Sequence, residues 1–317
     1  LFCFFFAQVL AMADGLSLTA EWKVLTKLGT SPQPARSGAA TASAGGKVYV
    51  FGGYGEVVAP GASSSPLGKT TRAATNDFWV FDDDEWRRLP EGPGPRLCAA
   101  AAVVDGSFLL FGGWDPKEEG SGGVILDDVW RYDLEAKTWE VLGATMPRGP
   151  VSRHVAVTVA DKKIVVVHTF RCAESVLLYD AQTRTMREQP TKGQAPTSRG
   201  LHAAARCGGD VVVFGGAAKS GDMRADVLAL DTTAWTWRPI VDRPEPTPRA
   251  GAAAAALGDD VLLIFGGAEA SESSGLVPRA DLWALDLRTA EWTCLLQDDD
   301  DDDVIPRKRN AAAFACL

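Results

Sequence analysis

Short apolar runs follow one another along this chain, separated by clusters of Gly, Pro, Asp and Ser that are typical of turns. Four of these runs end in Phe and a glycine doublet, at 50–53, 110–113, 213–216 and 264–267. After each doublet comes a second apolar run that ends in Asp and then a tryptophan, as in 129–133 with Trp139 and 282–286 with Trp292. A module of about fifty residues that cannot bury its own apolar faces is predicted to stack on copies of itself.

Each repeat divides into four predicted strands, a to d, and we find no helical periodicity longer than these strands. Strand a follows a Pro/Arg signal and is rich in Ala, strand b ends in the doublet, strand c ends in Asp, and strand d carries the Trp. The a strands are 37–44, 98–104, 154–159, 201–207 and 251–257. The b strands are 47–51, 107–111, 163–167, 210–214 and 260–265, and the c strands are 77–81, 128–132, 176–179, 226–230 and 281–285. The d strands are marked by Trp86, Trp139, Met186, Trp237 and Trp292.

These residue types suit sheets arranged radially around one axis. The Ala side chains of strand a are small enough for inner strands that crowd together at the axis. The doublet predicts a positive φ, or close approach of another backbone, at the end of strand b. Trp on strands c and d supplies apolar area to fill the widening gap between neighbouring sheets.

The glycine doublet and the later aromatic–Trp pair resemble the Kelch repeat, from about Trp22 to the end of the chain. The resemblance implies a β-propeller whose ring is closed by strands from both termini. We therefore predict an all-β fold, a Kelch-type β-propeller with five complete four-stranded blades and parts of a sixth blade split between the termini. Residues 21–25 would form strand d of that blade and 309–315 its strand a, so a complete ring is expected to have six blades, with seven as the alternative.

The third repeat departs from the pattern. His168 and Thr169 replace the doublet and Met186 replaces the Trp, although the strand pattern persists. We predict a weakly packed blade there.

The first nineteen residues are predicted to lie outside the propeller domain, which would span 20–317. Residues 1–11 are apolar but too short to cross a bilayer. They resemble the apolar core of a signal peptide before Ala11–Ala13, without the preceding basic residues, or else form an extension that is foreign to the native chain. The six cysteines show no close pairs, which favours reduced thiols and a cytoplasmic location, with secretion as the alternative.

The net charge of −9 includes six charges from the run 298–303, and without that run 32 basic residues face 35 acidic ones. Basic residues are scattered, which argues against a nucleic-acid partner. In a four-stranded meander the b–c and d–a connections emerge on one face, which we call the loop face. The longest b–c connections are 55–76, 115–127 and 268–280, and the Asp run lies on the same face. Long loops on a rigid scaffold are common binding sites, although they can also be plain surface insertions.

An arginine near the start of each strand a is the sharpest candidate for binding. The set is Arg36, Arg96, Arg153, Arg199, Arg249 and Arg309. These six positions are equivalent in the repeats, so ring closure is expected to bring the guanidinium groups to the channel mouth on the loop face. There they would suit the recognition of carboxylates or phosphates by bidentate hydrogen bonds. Some Kelch propellers read acidic peptide motifs with arginines on this face, which the resemblance makes relevant. The alternative is structural: each arginine pairs with an Asp or a carbonyl of its own blade.

Catalytic chemistry and a cofactor are not predicted. Of the three histidines, His154 and His202 begin strands a and are expected to bond locally. The copper site of galactose oxidase is not recognisable. The layout is similar to that of plant specifier proteins, which are Kelch proteins that hold iron with acidic side chains after a doublet. Here Glu269, Glu272 and Asp281 do not match that spacing, and no metal site is predicted.

The sequence thus predicts a protein-interaction scaffold whose loop face binds a protein or peptide, with an acidic peptide as one option. The alternative function is a metal-dependent enzyme, or a specifier-type modifier of small-molecule breakdown.

Overall fold

A computed structural model of the chain describes residues 5–11, 18–24, 32, 36–58, 70–117, 122–160, 163–167, 174–241, 245–271 and 275–297. All regular structure in these residues is β-strand. Five sheets of antiparallel strands, one of them with an added short parallel strand, form blades in sequence order, and two separate hairpins complete the set. Within the same residues no helix is long and apolar enough to cross a membrane. The predictions for 298–303, 309–315 and Glu272 fall outside this part of the chain.

The strands are numbered in chain order. The first two are β1 (Phe5–Ala11) and β2 (Leu18–Val24). Blade 1 contains β3 (Arg36–Ser37), β4 (Ala40–Ala44), β5 (Lys47–Val58), β6 (Thr70–Asp82) and β7 (Glu85–Leu89). Blade 2 contains β8 (Ala100–Val104), β9 (Ser107–Asp115), β10 (Val124–Asp133) and β11 (Thr138–Thr145). Blade 3 contains β12 (Val155–Thr158), β13 (Lys163–Val167), β14 (Ser175–Asp180) and β15 (Thr185–Pro190).

The last two blades carry short additional strands. Blade 4 contains β16 (Lys192–Gly193), β17 (Ala203–Cys207), β18 (Asp210–Phe214), β19 (Val227–Asp231) and β20 (Thr236–Val241), with β16 parallel to β20. Blade 5 contains β21 (Ala253–Leu257), β22 (Val261–Phe265), β25 (Leu282–Asp286) and β26 (Glu291–Leu296). Between β22 and β25 lies the hairpin of β23 (Ala268–Ser271) and β24 (Gly275–Pro278).

The Ala-rich strands are the inner strands, as predicted. Strands β4, β8, β12, β17 and β21 lie side by side in that order, each beside the inner strand of the next blade. Residues along these strands, among them Thr41, Ala101, Ala156, Ala204 and Ala254, line a central cavity.

Each described doublet has the positive φ that its position predicts. In blade 2, φ is +49° at Gly112 and +107° at Gly113. A Cβ atom on Gly112 would lie 2.6 Å from the carbonyl oxygen of Val151 in the next blade, while the amide of Gly113 donates to that oxygen at 2.9 Å. The doublet is therefore the point where one blade's backbone is bonded to the next.

The tryptophans of strand d fill the space between blades. Trp139 of blade 2 packs on Phe51 and Phe78 of blade 1, with ring centroids 5.5 and 5.2 Å apart. Trp292 of blade 5 meets Phe214 of blade 4 at 5.8 Å. The main clusters of buried apolar residues accordingly lie between adjacent blades, where they hold the ring together.

The Asp that ends strand c caps the turn into strand d. The carboxylate of Asp133 accepts hydrogen bonds from the backbone amides of Glu135 and Ala136, at 3.0 and 2.8 Å. Asp180, Asp231 and Asp286 accept the equivalent pairs of bonds. These local bonds explain why the apolar runs end in Asp.

Two boundaries differ from the sequence prediction. The connection 55–76 is not a plain loop, because β5 and β6 continue pairing past the doublet as far as Val58 and Thr70. At the N-terminus, Phe5–Ala11 is a strand that pairs along its whole length with Leu18–Val24, and the latter lies beside β26 of blade 5. The expected strand at 21–25 therefore has an antiparallel partner within the apolar stretch that we had set apart from the propeller.

Blade 3 keeps its four strands without the Trp or the doublet, as predicted. Met186 packs against the cluster between blades 2 and 3, beside Phe111 and Tyr179. Its weaker packing remains a prediction.

Candidate functional site

The b–c and d–a connections meet on one face, as the meander requires. The backbone amide of Leu97, before inner strand β8, donates to the carbonyl of Trp114 in the b–c hairpin of the same blade at 2.9 Å. In blade 4 the amide of Gly200 donates to Ala217, and in blade 5 the amide of Ala250 donates to Ala268. In these three blades the described parts of the two connections are therefore bonded to each other.

Four of the predicted arginines lie on this face with almost no exposed side chain. Arg36, Arg96, Arg199 and Arg249 pair with Asp77, Asp128, Asp226 and Asp281, the residues just before the apolar part of strand c. Each also donates to the carbonyl of the first glycine of the doublet, at 3.0 to 3.1 Å. The structural alternative therefore describes these four side chains, while Arg309 is outside the described residues.

The Arg36–Asp77 pair shows how the carboxylate is kept charged. Burial pushes the pKa of Asp77 upward, but hydrogen bonds from Arg36 and from Trp79 outweigh it and hold that pKa below its ordinary value. The Trp79 indole donates to Asp77 at 2.6 Å, and Trp130 and Trp283 do the same for Asp128 and Asp281.

Acid should remove the contribution of Asp77 to stability. A folded-state pKa below the unfolded value of about 3.9 means that the stabilisation is present above that pH and is lost as pH falls through the folded pKa. We expect the difference in free energy of unfolding between wild type and Asp77→Asn to be largest near neutral pH and to shrink below about pH 4. Urea unfolding across this pH range measures it, and a constant difference would contradict the prediction.

Arg153 does not occupy the position of the other arginines. The carbonyl of Val151 accepts the bond from the second glycine of the preceding doublet, as the carbonyls of Arg96 and Arg249 do in their blades. Val151 is buried, and buried Ser175 stands where the other blades have the paired Asp. The predicted equivalence is therefore wrong for Arg153, which lies two residues further along the chain.

Two residues beyond the arginine position, every blade has a residue in the left-handed region. We call these five residues the rim. They are Gly38, Cys98, Arg153, Leu201 and Gly251, with φ of +64°, +53°, +60°, +56° and +67°. Each amide donates to the carbonyl of the rim residue before it, at 2.7 Å for Cys98, 2.9 Å for Arg153, 3.0 Å for Leu201 and 2.8 Å for Gly251. The rim is thus a chain of hydrogen bonds that runs from blade to blade.

The rim surrounds the mouth of a cavity of about 210 Å³ at the start of the inner strands. All five rim residues line it, together with the residues that follow them, which include His154 and His202. These two histidines are buried and occupy the same place in adjacent blades. The side chain of Arg153 is exposed, so it is the predicted arginine that reaches the cavity mouth.

The charge around the rim is set by few groups. No carboxylate among the described residues lies within ion-pair distance of Arg153. Burial raises the pKa of the neighbouring Cys98 thiol, and the positive charge of Arg153 opposes that shift. The mouth therefore presents a cation beside a neutral thiol.

The acidic residues that follow the last doublet form ion pairs. Asp281 binds Arg249 at 2.6 Å, and Glu269 accepts from Arg279 at 2.7 Å and from Arg249 at 3.3 Å. Thr247 also donates to Glu269. The described residues contain no group of three or more His, Cys, Asp or Glu side chains placed to hold a metal ion.

Sequence reasoning missed Cys98 and Leu201 as parts of this site. The signal in the sequence was the glycine two residues after the arginine in blades 1 and 5, because glycine is the residue expected where φ is positive. Aligning the repeats on Gly38 and Gly251 would have placed Arg153 with them.

Several curated proteins are similar to this chain. Adagio-like protein 1 of Oryza sativa subsp. japonica is 31% identical over 297 residues, which cover 84% of this chain and 43% of that protein. Acyl-CoA-binding domain-containing protein 5 of Arabidopsis thaliana is 30% identical over 55% of this chain and 28% of that protein. Kelch domain-containing protein 1 of Mus musculus is 26% identical over 81% and 68% of the two chains. The chain spans less than half the length of the first curated relatives it matches.

Structure and family comparisons agree on the fold. The solved structure described as "Structure of YjhT" matches 86% of both chains with a TM-score of 0.64 at 19% identity, a likeness that concerns the fold alone. The family model described as the KLHDC2/KLHL20/DRC7 Kelch-repeats domain matches residues 14–168 and 168–316. Kelch propellers generally bind protein partners. The chain belongs to this Kelch-repeat family and is a Kelch-type β-propeller.

Proposed function

We propose that this propeller is a protein-interaction module that binds an acidic peptide segment of its partner at the rim, through Arg153. The observation that carries the proposal is the exposed Arg153 guanidinium at the cavity mouth, where no described carboxylate pairs with it. A guanidinium offers a planar pair of donors that matches a carboxylate, and the bond strengthens where water is partly excluded.

The contacts of the other described arginines indicate a structural role for them. Arg36, Arg96, Arg199 and Arg249 are held by aspartates within their own blades, so binding a ligand would require breaking those pairs. They position the loop face by joining the glycine doublet to strand c. The proposal therefore assigns contact with the partner to Arg153.

The loop face also carries exposed apolar side chains. The b–c hairpin of blade 2 exposes Val124 and Ile125, and the β23–β24 hairpin exposes Leu276. The corresponding connection of blade 4, by contrast, is a short turn at 217–223. A partner on this face would thus meet apolar side chains as well as the central cation, a combination that suits protein ligands.

The test is an array of short synthetic peptides with a central Asp or Glu, printed beside matched peptides with Asn or Gln. The purified propeller is expected to prefer the acidic peptides. Arg153→Ala should weaken binding of selected peptides about tenfold or more, since a charge-assisted hydrogen bond is lost. Arg153→Lys should recover only part of it, because lysine keeps the charge without the bidentate geometry.

Arg206→Ala is the matched control. Arg206 is an exposed arginine near the opposite end of inner strand β17, and it donates to the nearby carbonyl of Gly208. It changes the net charge equally without touching the rim, so its binding should match wild type. Equal weakening by both variants would mean that net charge alone causes the effect. If the wild type shows no preference for acidic peptides, the proposal is rejected.

The proposal also includes a cytoplasmic location. Its support is chemical: Cys98, Cys207 and Cys294 are free thiols, and burial with nearby aspartates raises the pKa of Cys207 to about 12. Free thiols of this kind fit a reducing compartment. Imaging of a fluorescent fusion of the native full-length protein would check it.

A further inference from the structure

The rim contains three side chains where the backbone favours glycine. Residues with a Cβ atom are strained in the left-handed region, and Cys, Arg and Leu lack the short polar side chain that eases the strain for Asn or Asp. Yet Cys98, Arg153 and Leu201 have φ of +53°, +60° and +56°. Strained residues of this kind gather at ligand-binding sites, where surrounding structure holds them in place.

The fold itself does not require these three side chains. Gly38 and Gly251 occupy the same place in blades 1 and 5, with the same sign of φ, and both belong to the chain of bonds from blade to blade, Gly38 as an acceptor and Gly251 as a donor. The bonds that hold the rim come from backbone groups, which a glycine would supply equally. What Cys98, Arg153 and Leu201 add to the rim is their side chains at the cavity.

The arrangement around the mouth is ordered and asymmetric. Consecutive blades present a thiol, a guanidinium and an isobutyl group, and the two glycines leave the remaining described part of the rim without side chains. Rim neighbours joined by a backbone hydrogen bond lie about 5 Å apart, the spacing of adjacent β-chains. Side chains at that distance can contact neighbouring residues of a single bound peptide.

We infer that Cys98, Arg153 and Leu201 determine specificity at this site, and that the bound peptide carries an aliphatic residue beside its acidic one. The carboxylate meets Arg153, the aliphatic side chain packs on Leu201, and Cys98 limits the space on the other side. Gly251 adds no side chain to the rim, so the peptide backbone can approach there, whereas the Cys98 sulfur lies 3.2 Å from where a Cβ atom of Gly38 would be. This inference rests on the proposed function and adds the identity of the neighbouring peptide residue.

The inference predicts opposite effects on stability and on binding. Cys98→Gly, Arg153→Gly and Leu201→Gly should each leave the fold intact and raise Tm by about 2 °C, because relief of strain outweighs the added freedom of the unfolded chain. Leu201→Ala keeps a Cβ atom and therefore the strain, so it should not share that rise. A fall in Tm with all three glycine variants would make these side chains structural and overturn the inference.

Binding is measured on the same peptide array, with Val, Leu or Ile compared with Ser or Gly next to the central acidic residue. Wild type should prefer the aliphatic neighbour at least several-fold, and both Leu201→Gly and Leu201→Ala should lose that preference while keeping the preference for an acidic centre. An unchanged aliphatic preference in both variants would overturn this inference and leave the role of Arg153 intact. Absence of any acidic preference in the wild type would overturn both proposals.

Discussion

Replacing Arg36 by alanine is expected to lower the free energy of unfolding by about 3–5 kcal/mol. The substitution would leave the Asp77 carboxylate buried, with the Trp79 indole but without its cationic partner. It would also remove the bond to the carbonyl of Gly52, which fixes the doublet. Urea unfolding followed by tryptophan fluorescence measures the loss, and a change below about 1 kcal/mol would mean that the pair behaves like an exposed one.

Blade 3 provides the control for this experiment. Where blade 1 has Arg36 and Asp77, blade 3 has Val151 and Ser175, both buried and without a formal charge. The double variant Arg36→Val with Asp77→Ser places the same two residues in blade 1, without the Arg148 and Glu188 side chains that bond Ser175 in blade 3, and leaves no unpaired buried charge. We expect it to lose less stability than either single variant, because most of the single-variant cost is the uncompensated charge. Additive losses would instead mean that the coupling energy between the two side chains is zero, so that each contributes through its other contacts.

Replacing Gly112 by alanine is expected to cost about 3 kcal/mol, from left-handed strain together with overpacking. Its Cβ atom would lie 2.6 Å from the carbonyl oxygen of Val151 and 2.9 Å from that of Leu126. Both are backbone atoms that cannot move without separating blade 3 from blade 2. A fall in Tm, with the antiparallel β spectrum retained by circular dichroism, is the result to look for.

Substitution of Gly106, in the same blade, separates the cost of left-handed strain from the cost of overpacking. Its φ is +68°, and a Cβ atom built there would meet nothing within 4 Å. Gly106→Ala should therefore show the left-handed strain alone, about 1 kcal/mol. If Gly106→Ala and Gly112→Ala cost the same, contact between the doublet and the next blade adds nothing, and our account of the doublet would be wrong.

Most of the fold could be predicted from local patterns. The doublets, the Asp that ends strand c and the Trp of strand d each have a role that depends on nearby backbone or on the adjacent blade. Asp133 caps its own turn, and Trp139 fills the gap to blade 1. Such features recur at a fixed period, so one repeat helps to interpret the others.

The candidate site was harder to predict, because it depends on register at single residues. The sequence 147–154 contains two arginines, and the one nearer to the predicted strand was aligned with Arg36 and Arg96. In the structure Val151 has that place and Arg153 falls on the rim. An arginine placed two residues further along keeps the in–out alternation of a strand, but its side chain lies at the cavity mouth and not in an internal ion pair.

The length of strand pairing in the b–c hairpins was not predicted, for a related reason. Their mixed composition, as in Thr70–Asn76, lacks the apolar alternation that marks a half-buried strand. Strand pairing nevertheless continues from β5 into β6 beyond the doublet, because the register set in the core carries on outward. Exposed pairing of this kind depends on the neighbouring strand rather than on burial.

The sequence by itself determined the Kelch-type repeat, the strands of the five blades, the small inner side chains and the residues that fill the gaps between sheets. These follow from hydrophobic period and turn chemistry, which act over a few residues. Only the tertiary structure decided which arginines are buried in ion pairs, which one is exposed, and which residues meet at the rim. The reason is that the rim forms from five segments about fifty residues apart, joined by backbone hydrogen bonds that any residue with an amide can make.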